Sequence, residues 1–349
     1  MDVLIIYQYC TFGGVERVVL NRAQAFKTSD YNVHLSVGYL HDSGALKSFQ
    51  DYISEHGLNN HLKAFLISNS TNLNYDAYDY IFIIDTPQVF GQIQNVDNVF
   101  IECHTSYIEN RQYLGNIPEN IQGIIVPSKS FRSLILDEFS QLPPVFVIPN
   151  PVPENFYSFD SHAEIYFVKR PITYFGRLDS WKNYDEALRI FSYFSNDPDK
   201  MFIIIGNGAD DKKILKSLEK DGLLAKSLLR SGIEFDHATY LINLVKAHKG
   251  VFISPSKGES FGLSVAEFMC GGVPVLVSKI PAHEELLEDD EKFLYPLGDL
   301  QTAKKKITQI FQNWETYSVK MTEYAQKFRG HQFLKAWDEF INTNRRSED

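Results

Sequence analysis

Two glutamates eight positions apart, Glu259 and Glu267, flank a small, turn-prone segment, Ser260-Phe261-Gly262-Leu263. The surrounding stretch, 254–272, reads SPSKGESFGLSVAEFMCGG. Ser260 or Gly262 can cap a helix, and Leu263–Met269 reads as that helix. Glu259 then lies in the loop before it, and Glu267 about one turn and a half inside. The amides of Phe261, Gly262 and Leu263 precede the first intrahelical bond and face whatever fills the space between the acids. Amides at a helix start hold phosphate, and carboxylates accept hydrogen bonds from hydroxyls. The layout suits a ligand with an anionic middle and a hydroxylated part at each end, which is the composition of a nucleotide-sugar. Glu267 sits among Val265, Ala266, Phe268, Met269 and Cys270, where an unpaired carboxylate is costly, so an idle surface charge is a poor account of it.

Other polar residues follow predicted strands. After Val3–Tyr7 comes Thr11-Phe12-Gly13-Gly14-Val15-Glu16, opening a helix. Paired glycines let backbone approach a ligand, or simply make a turn. The spacing is not G-x-G-x-x-G and no acid ends the second strand, which argues against a nicotinamide site. After Asn98–Glu102 comes Cys103-His104, where His104 could donate a hydrogen bond, move a proton, or serve only the fold. After Ile172–Phe175 come Arg177 and Lys182, either two solvated cations or a pair that holds a diphosphate. Gly206-Asn207-Gly208 follows Phe202–Ile205.

The elements that must position these residues alternate between strand and helix. Val3–Tyr7, Val33–Val37, Ala64–Ile67, Tyr80–Ile84, Asn98–Glu102, Gly123–Val126 and Val145–Ile148 read as strands, with Val15–Phe26 and Ser130–Phe139 as helices between them. Several strands are apolar on both faces, the signature of a parallel sheet. IPNPVP at 148–153 interrupts this rhythm, and 149–170 reads as a connection between domains. The rhythm restarts with strands at Ile172–Phe175, Phe202–Ile205, Ile233–Phe235, Val251–Ser254, Val273–Val277 and Lys292–Tyr295. Helices fall at Tyr184–Phe194, Asp211–Leu218, Tyr240–Ala247 and Leu263–Met269, and long helical stretches at 301–313 and 315–341 follow with no strand after them. Two such sheets joined by a stiff connector make a cleft, and parallel sheets bind ligands beyond the carboxyl ends of their strands.

The 349 residues are enough for two domains, and 44% hydrophobic with 14% aromatic content is ample for two cores. A net charge of -10 argues against a nucleic-acid binder. Cys10, Cys103 and Cys270 are far apart in apolar surroundings and read as buried, reduced thiols of a cytoplasmic protein, with no metal-ligand spacing. MDVLIIYQYC reads as a first strand rather than a signal peptide, and no run approaches the ~20 apolar residues of a membrane span. Peripheral membrane contact stays open through Lys129–Ile135 and Lys304–Lys320, which also suit solvated helix faces.

The chain resembles the retaining glycosyltransferases of family 4, with the GT-B architecture. The resemblance rests on Glu259-Ser-Phe-Gly-Leu-Ser-Val-Ala-Glu267, preceded by Ser254-Pro-Ser and followed by Gly271-Gly-Val-Pro-Val. Gly13-Gly14-Val15-Glu16, Val126-Pro127-Ser128, Ile148-Pro149-Asn150, Gly176-Arg177-Leu178 with Lys182, and Gly206-Asn207-Gly208 support it in family order. Three positions depart from the pattern. Asn150 precedes Pro151 and Lys182 precedes Asn183 where the family has glycine, and Asp236-His237 replaces a glycine near the nucleobase.

The resemblance implies an α/β, GT-B fold of two Rossmann-like domains facing a central cleft. Residues 1–155 would bind the acceptor, 156–326 the donor, and 327–349 would form a helix crossing back. Glu259 would contact hydroxyls of the donor sugar and Glu267 the ribose. Arg177, Lys182 and the amides of Ser260, Phe261, Gly262 and Leu263 would neutralise the diphosphate. Gly13, Gly14 and His104 would serve the acceptor, with Gly14 also near the phosphates and His104 beside the donor sugar. Catalysis would rest on His104, Glu259, Arg177 and Lys182. It would need no metal or other cofactor. The donor would be a UDP- or GDP-sugar and the acceptor a glycan or lipid-linked glycan, at or near the inner face of the membrane. Asp197-Pro198-Asp199 resembles a metal motif in letters only, since it precedes a strand. No residue stands out as a nucleophile, which favours same-face attack guided by the leaving phosphate. An epimerase-like relative and a non-catalytic subunit that binds nucleotide-sugar are the competing readings.

Overall fold

The computed structural model describes residues 1–67, 73–158, 169–208, 211–234 and 236–345. The chain divides into two units. Unit 1 comprises Met1–Pro153 with Phe328–Asp349, and unit 2 comprises Glu154–Lys327.

Unit 1 runs β1 (Asp2–Cys10), α1 (Gly14–Lys27), β2 (His34–Asp42), α2 (Leu46–Glu55), β3 (Leu62–Leu66), β4 (Tyr80–Ile84), β5 (Val99–Glu102), β6 (Ile121–Val126), α3 (Lys129–Glu138) and β7 (Val145–Val147). Among the described residues its sheet has seven strands in the order β3-β2-β1-β4-β5-β6-β7, all parallel. Val3–Ile6 and Tyr80–Ile84 are buried throughout, because helices cover both faces of the central strands. Ser128 caps α3 by accepting the Phe131 N–H at 3.1 Å.

Unit 2 runs β8 (Arg170–Phe175), α4 (Tyr184–Ser192), β9 (Lys200–Ile205), α5 (Asp211–Lys220), β10 (Ser227–Arg230), α6 (His237–Ala247), β11 (Val251–Ser254), α7 (Leu263–Cys270), β12 (Val275–Ser278), α8 (Pro281–Leu287), β13 (Leu294–Tyr295), α9 (Leu300–Gln312) and α10 (Trp314–Tyr324). Among the described residues its sheet has six parallel strands in the order β10-β9-β8-β11-β12-β13. The last helix, α11 (Gly330–Asn344), belongs to unit 1, where Trp337 packs on Phe26 and Phe82 and Phe340 on Phe100.

Both sheets run outward in two directions from their first strand. The reversal falls between β1 and β4 in unit 1, and between β8 and β11 in unit 2. Loops leaving the carboxyl ends of these pairs diverge, which leaves a crevice that ligands occupy in open parallel sheets.

The structure corrects several sequence expectations. An acid does end the second strand: β2 runs on past Val37 to Asp42, whose Oδ1 accepts the amides of Gly44, Ala45 and Leu46 at the start of α2. The strand expected at Ile233–Phe235 is instead β10, six residues earlier; 231–234 carry no regular structure and Phe235 lies outside the described residues. As an edge strand, β10 pairs only with β9 among the described residues and exposes Leu228 at 39%, so its apolar signature is weak. The helical stretch 315–341 is two helices separated by a 3₁₀ turn at Ala325–Phe328. Of the expected connection 149–170, residues 159–168 lie outside the described residues, as do 346–349 of the tail.

Candidate functional site

In unit 2 the loops after β8 and β11 are tied together. The Lys257 N–H donates to the Trp181 carbonyl at 2.9 Å, and Trp181 Nε1 donates to the Gly258 carbonyl at 2.9 Å. Asp179 Oδ1 accepts the Trp181 and Lys182 amides at 3.0 and 2.7 Å, which shapes the turn that presents Lys182. Asn183 then adopts a left-handed conformation, φ 57°, before α4. Asparagine tolerates that region, which accounts for its standing where the family pattern has glycine.

The outcome is a contact between residues 77 positions apart. Lys182 Nζ lies 2.6 and 2.7 Å from the two Glu259 carboxylate oxygens. The Lys182 side chain is 26% exposed and that of Glu259 11%. Burial pushes the Glu259 carboxyl up, but the charge and hydrogen bonds of Lys182 beside it outweigh burial and hold it below the ordinary carboxylate range. Two of the three Lys182 N–H groups serve Glu259, and the third is the one a ligand anion would use.

Gly262 is the N-cap of α7 at φ 93°, a conformation that penalises any side chain. The first intrahelical bond runs from the Ala266 N–H to the Gly262 carbonyl. By helix geometry the four amides preceding that bond are those of Gly262, Leu263, Ser264 and Val265. The expected set, Phe261 to Leu263, shares Gly262 and Leu263 with this group, and Phe261 is a buried residue of the loop just before it. Glu267 is fully buried in α7. Arg177 shares the loop of Lys182, but its side chain is 58% exposed and its Nε stands 3.5 Å from Asp179 Oδ2. The structure therefore joins Lys182 to Glu259 at the approach to α7 and puts Arg177 on the solvent side of its loop.

Gly206 serves the fold rather than a ligand: a Cβ there would lie 1.8 Å from the Gly176 carbonyl oxygen. Buried Glu186 is likewise structural. It accepts from Tyr295 Oη, the Gly298 N–H and Asn183 Nδ2. Asp197 and Asp199 both pair with Lys200 at the amino end of β9, away from the strand ends that carry the site.

Unit 1 gathers a second cluster at the ends of β1, β4 and β5. Gly13 caps α1, and its N–H donates to Glu16 Oε2 at 2.6 Å. A Cβ on Gly14 would meet nothing within 4 Å, so no neighbour in the protein excludes a side chain there. His104 is held from two sides. Its N–H donates to Asp85 Oδ2 at 2.9 Å, and its Nε2 lies 2.7 Å from Glu102 Oε1. Glu102 is fully buried and takes both terminal guanidinium nitrogens of buried Arg22. Burial would raise the Glu102 pKa, but Arg22 and His104 outweigh it and bring it to about 2. An ionised carboxylate only accepts, so His104 Nε2 carries a proton.

Sequence reasoning singled out His104 but missed Arg22, Glu102 and Asp85. The signal was Glu102 itself, a carboxylate ending the apolar strand V-F-I-E, which requires a buried partner. It also missed His283, treated below. The three cysteines are free and buried. Among the described residues no helix is long and apolar enough to cross a membrane.

The fold is that of the GT-B glycosyltransferases, two parallel-sheet α/β units with seven and six strands. Residues 164–328, nearly the whole of unit 2, match the model of the family described as glycosyl transferases group 1. The crystal structure of Anabaena HepE in complex with UDP and glucose superposes with a TM-score of 0.78 at 17% identity, covering 98% of this chain and 100% of that one. Among curated proteins, a probable sucrose-phosphate synthase of Thermosipho melanesiensis is 24% identical over 57% of this chain and 46% of its own length. The Escherichia coli UDP-Gal:alpha-D-GlcNAc-diphosphoundecaprenol alpha-1,3-galactosyltransferase is 31% identical over 40% of this chain and 35% of its own length. The chain thus spans about half or less of the length of these two relatives.

Proposed function

We propose that the chain is a retaining glycosyltransferase of the family 4 kind, which moves a sugar from a nucleoside-diphosphate sugar to a hydroxyl of a glycan or lipid-linked glycan. The observation that carries this reading is the Lys182–Glu259 pair beside the start of α7, at the crevice between β8 and β11. Breaking the anomeric C–O bond sends its electron pair onto the leaving diphosphate. Groups fixed where that charge grows lower the barrier more than they tighten ground-state binding. The α7 amides, the third Lys182 N–H and Arg177 supply such groups from the protein itself, so we assign no metal to the reaction.

Glu259, held ionised and immobile, is assigned to hydroxyls of the donor sugar, and Glu267 to the ribose. Gly13, Gly14 and His104 of unit 1 are assigned to the acceptor. The acceptor oxygen attacks the anomeric carbon on the face the diphosphate leaves, and its proton passes to the departing phosphate oxygen. The HepE structure is a complex with UDP and glucose, and the Escherichia coli galactosyltransferase is a UDP-Gal enzyme, which favours a UDP-sugar over a GDP-sugar here.

A melting-temperature screen with UDP-, GDP-, ADP- and dTDP-sugars tests the donor reading, since a ligand that prefers the folded state raises the transition. Stabilisation by one nucleotide class, followed by release of the nucleoside diphosphate with the anomeric configuration kept, is the expected result. No shift with any of them would refute it, and a covalent sugar adduct on Glu259 would overturn the same-face route.

A further inference from the structure

Ser278 ends β12, the neighbour of β11, and His283 lies five positions on in the first turn of α8. The Ser278 hydroxyl donates to the Ser256 carbonyl at 2.5 Å, which ties this corner to the loop that carries Glu259. His283 is fully buried. Its Nδ1 stands 2.8 Å from the Ser278 carbonyl oxygen. A carbonyl only accepts, so Nδ1 bears the proton. In the neutral ring Nε2 is then a bare acceptor. It has no hydrogen-bond partner among the described residues.

A buried acceptor without a donor is a cost that native structures carry seldom and for a reason. Its surroundings indicate the reason. A Cβ on Gly262 would lie 3.6 and 3.8 Å from the ring's Cδ2 and Nε2, so the edge of the ring that carries Nε2 borders the N-cap of α7 at a position that has no side chain. Glu259 and Lys182 act on the same ring: burial lowers its pKa most, Glu259 opposes and Lys182 adds to the fall, to about 4. The ring is neutral at physiological pH and borders the helix start where the donor is assigned.

We propose that His283 Nε2 accepts a hydrogen bond from a hydroxyl of the donor sugar, which makes His283 a sugar-selecting residue of the unit 2 site. The inference rests on the donor reading above and deepens it. An ionised phosphate has no proton to offer a neutral imidazole, whereas a sugar hydroxyl has one. Beside it, Glu259 is another acceptor, already anchored by Lys182. Two fixed acceptors suit neighbouring hydroxyls, and they select by stereochemistry, because an epimer with a hydroxyl turned away leaves a buried acceptor unmet.

The test is calorimetric titration of the full chain with UDP, UDP-glucose and its 2-, 3-, 4- and 6-deoxy analogues, and with GDP and GDP-mannose. His283→Asn places an amide N–H where Nδ1 was and removes the acceptor; His283→Gln restores an oxygen near the Nε2 position. Melting curves confirm that both variants fold. In His283→Asn we expect UDP affinity to hold within about twofold, while UDP-glucose binding falls by about fivefold to tenfold, the worth of one hydrogen bond, with partial recovery in His283→Gln. One deoxy analogue should show the same loss on the wild type and no further loss on His283→Asn. Equal weakening of UDP and UDP-glucose, or additive losses for every deoxy analogue, would overturn the assignment. A wild-type chain that binds none of the nucleotides or nucleotide-sugars would sink the donor reading itself.

Discussion

Replacing Lys182 with methionine keeps an apolar stem but removes the charge that holds Glu259 ionised. Removing one partner of a fully buried ion pair costs about 3–5 kcal/mol, because the other charge is stranded. Here the side chains are 26% and 11% exposed, so water recovers part of that. The expected loss at neutral pH is about 2 kcal/mol, or about 4–8 °C in the melting of a unit this size. The dependence on pH is the sharper signature. In the wild type the Glu259 pKa lies below its ordinary 4.5, so its contribution is present above 4.5 and fades only as pH falls through the lowered value. Without Lys182, burial dominates and the pKa rises above 4.5, so the variant takes up a proton first and sheds the stranded charge. The stability gap must therefore narrow as pH falls from neutral to about 4.5. His283 works in the same direction, since losing Lys182 removes one influence that keeps it neutral. Denaturant melts of wild type, Lys182→Met and Lys182→Met/Glu259→Gln at several pH values provide the assay, with the double variant recovering much of the loss. A gap that stays constant or widens toward acid would refute the argument. Turnover of Lys182→Met should fall at least tenfold, about 1.4 kcal/mol of barrier, at every pH where it is folded.

Gly14→Ala should leave stability within about 0.5 kcal/mol of wild type or slightly above it, since the new methyl meets no neighbour and alanine favours helix, yet turnover should drop; a melting curve and a rate separate the two. Gly262→Ala should cost about 1–3 kcal/mol from its φ of 93°, with more from a contact 3.0 Å to Leu286, and should weaken donor binding in the same titration. Arg22→Met strands Glu102 in a fully buried place, so denaturation of unit 1 should lose about 3–5 kcal/mol at neutral pH and recover toward acid as Glu102 protonates. Glu267→Ala should weaken nucleotide-sugar binding tenfold or more, about 1.5–3 kcal/mol for hydrogen bonds to a charged group, and unchanged affinity would end the ribose assignment.

Much of this architecture was legible because its central strands are buried on both faces. Val3–Tyr7, Tyr80–Ile84 and Phe202–Ile205 are continuous apolar runs, and each became a strand. From strands alone the loops at their carboxyl ends could be named, and His104, Lys182 and Glu259 all lie there. What periodicity could not carry was pairing across distance. Lys182 and Glu259 are 77 positions apart, and Arg22 and Glu102 are 80 apart. Each reads locally as a lone charge, and only the sheet order makes them neighbours. The edge strand β10 and the seven-residue α8 that carries His283 failed for a different reason: each is too short to show a period.

Backbone strain separates function from turn-making in the same molecule. Among the described residues, seven non-glycine residues have positive φ. Asn98 and Lys249 sit in turns that lead into β5 and β11, at the amino ends of strands, where reversing direction is explanation enough. Phe12, Asp85 and Asn183 instead follow β1, β4 and β8, three of the four strands that border the two crevices. Asp85 shows what its conformation achieves. At φ 41° its two carboxylate oxygens accept from the His104 N–H and from the Tyr113 hydroxyl, at 2.9 and 2.8 Å. An ordinary turn at that position could use any small residue. This one holds a histidine whose ring is already fixed by Glu102, and through Glu102 by Arg22. A strained acid and a buried ion pair spent on one side chain are hard to explain if His104 only fills space, and straightforward if its Nδ1 must meet a reacting group in one orientation.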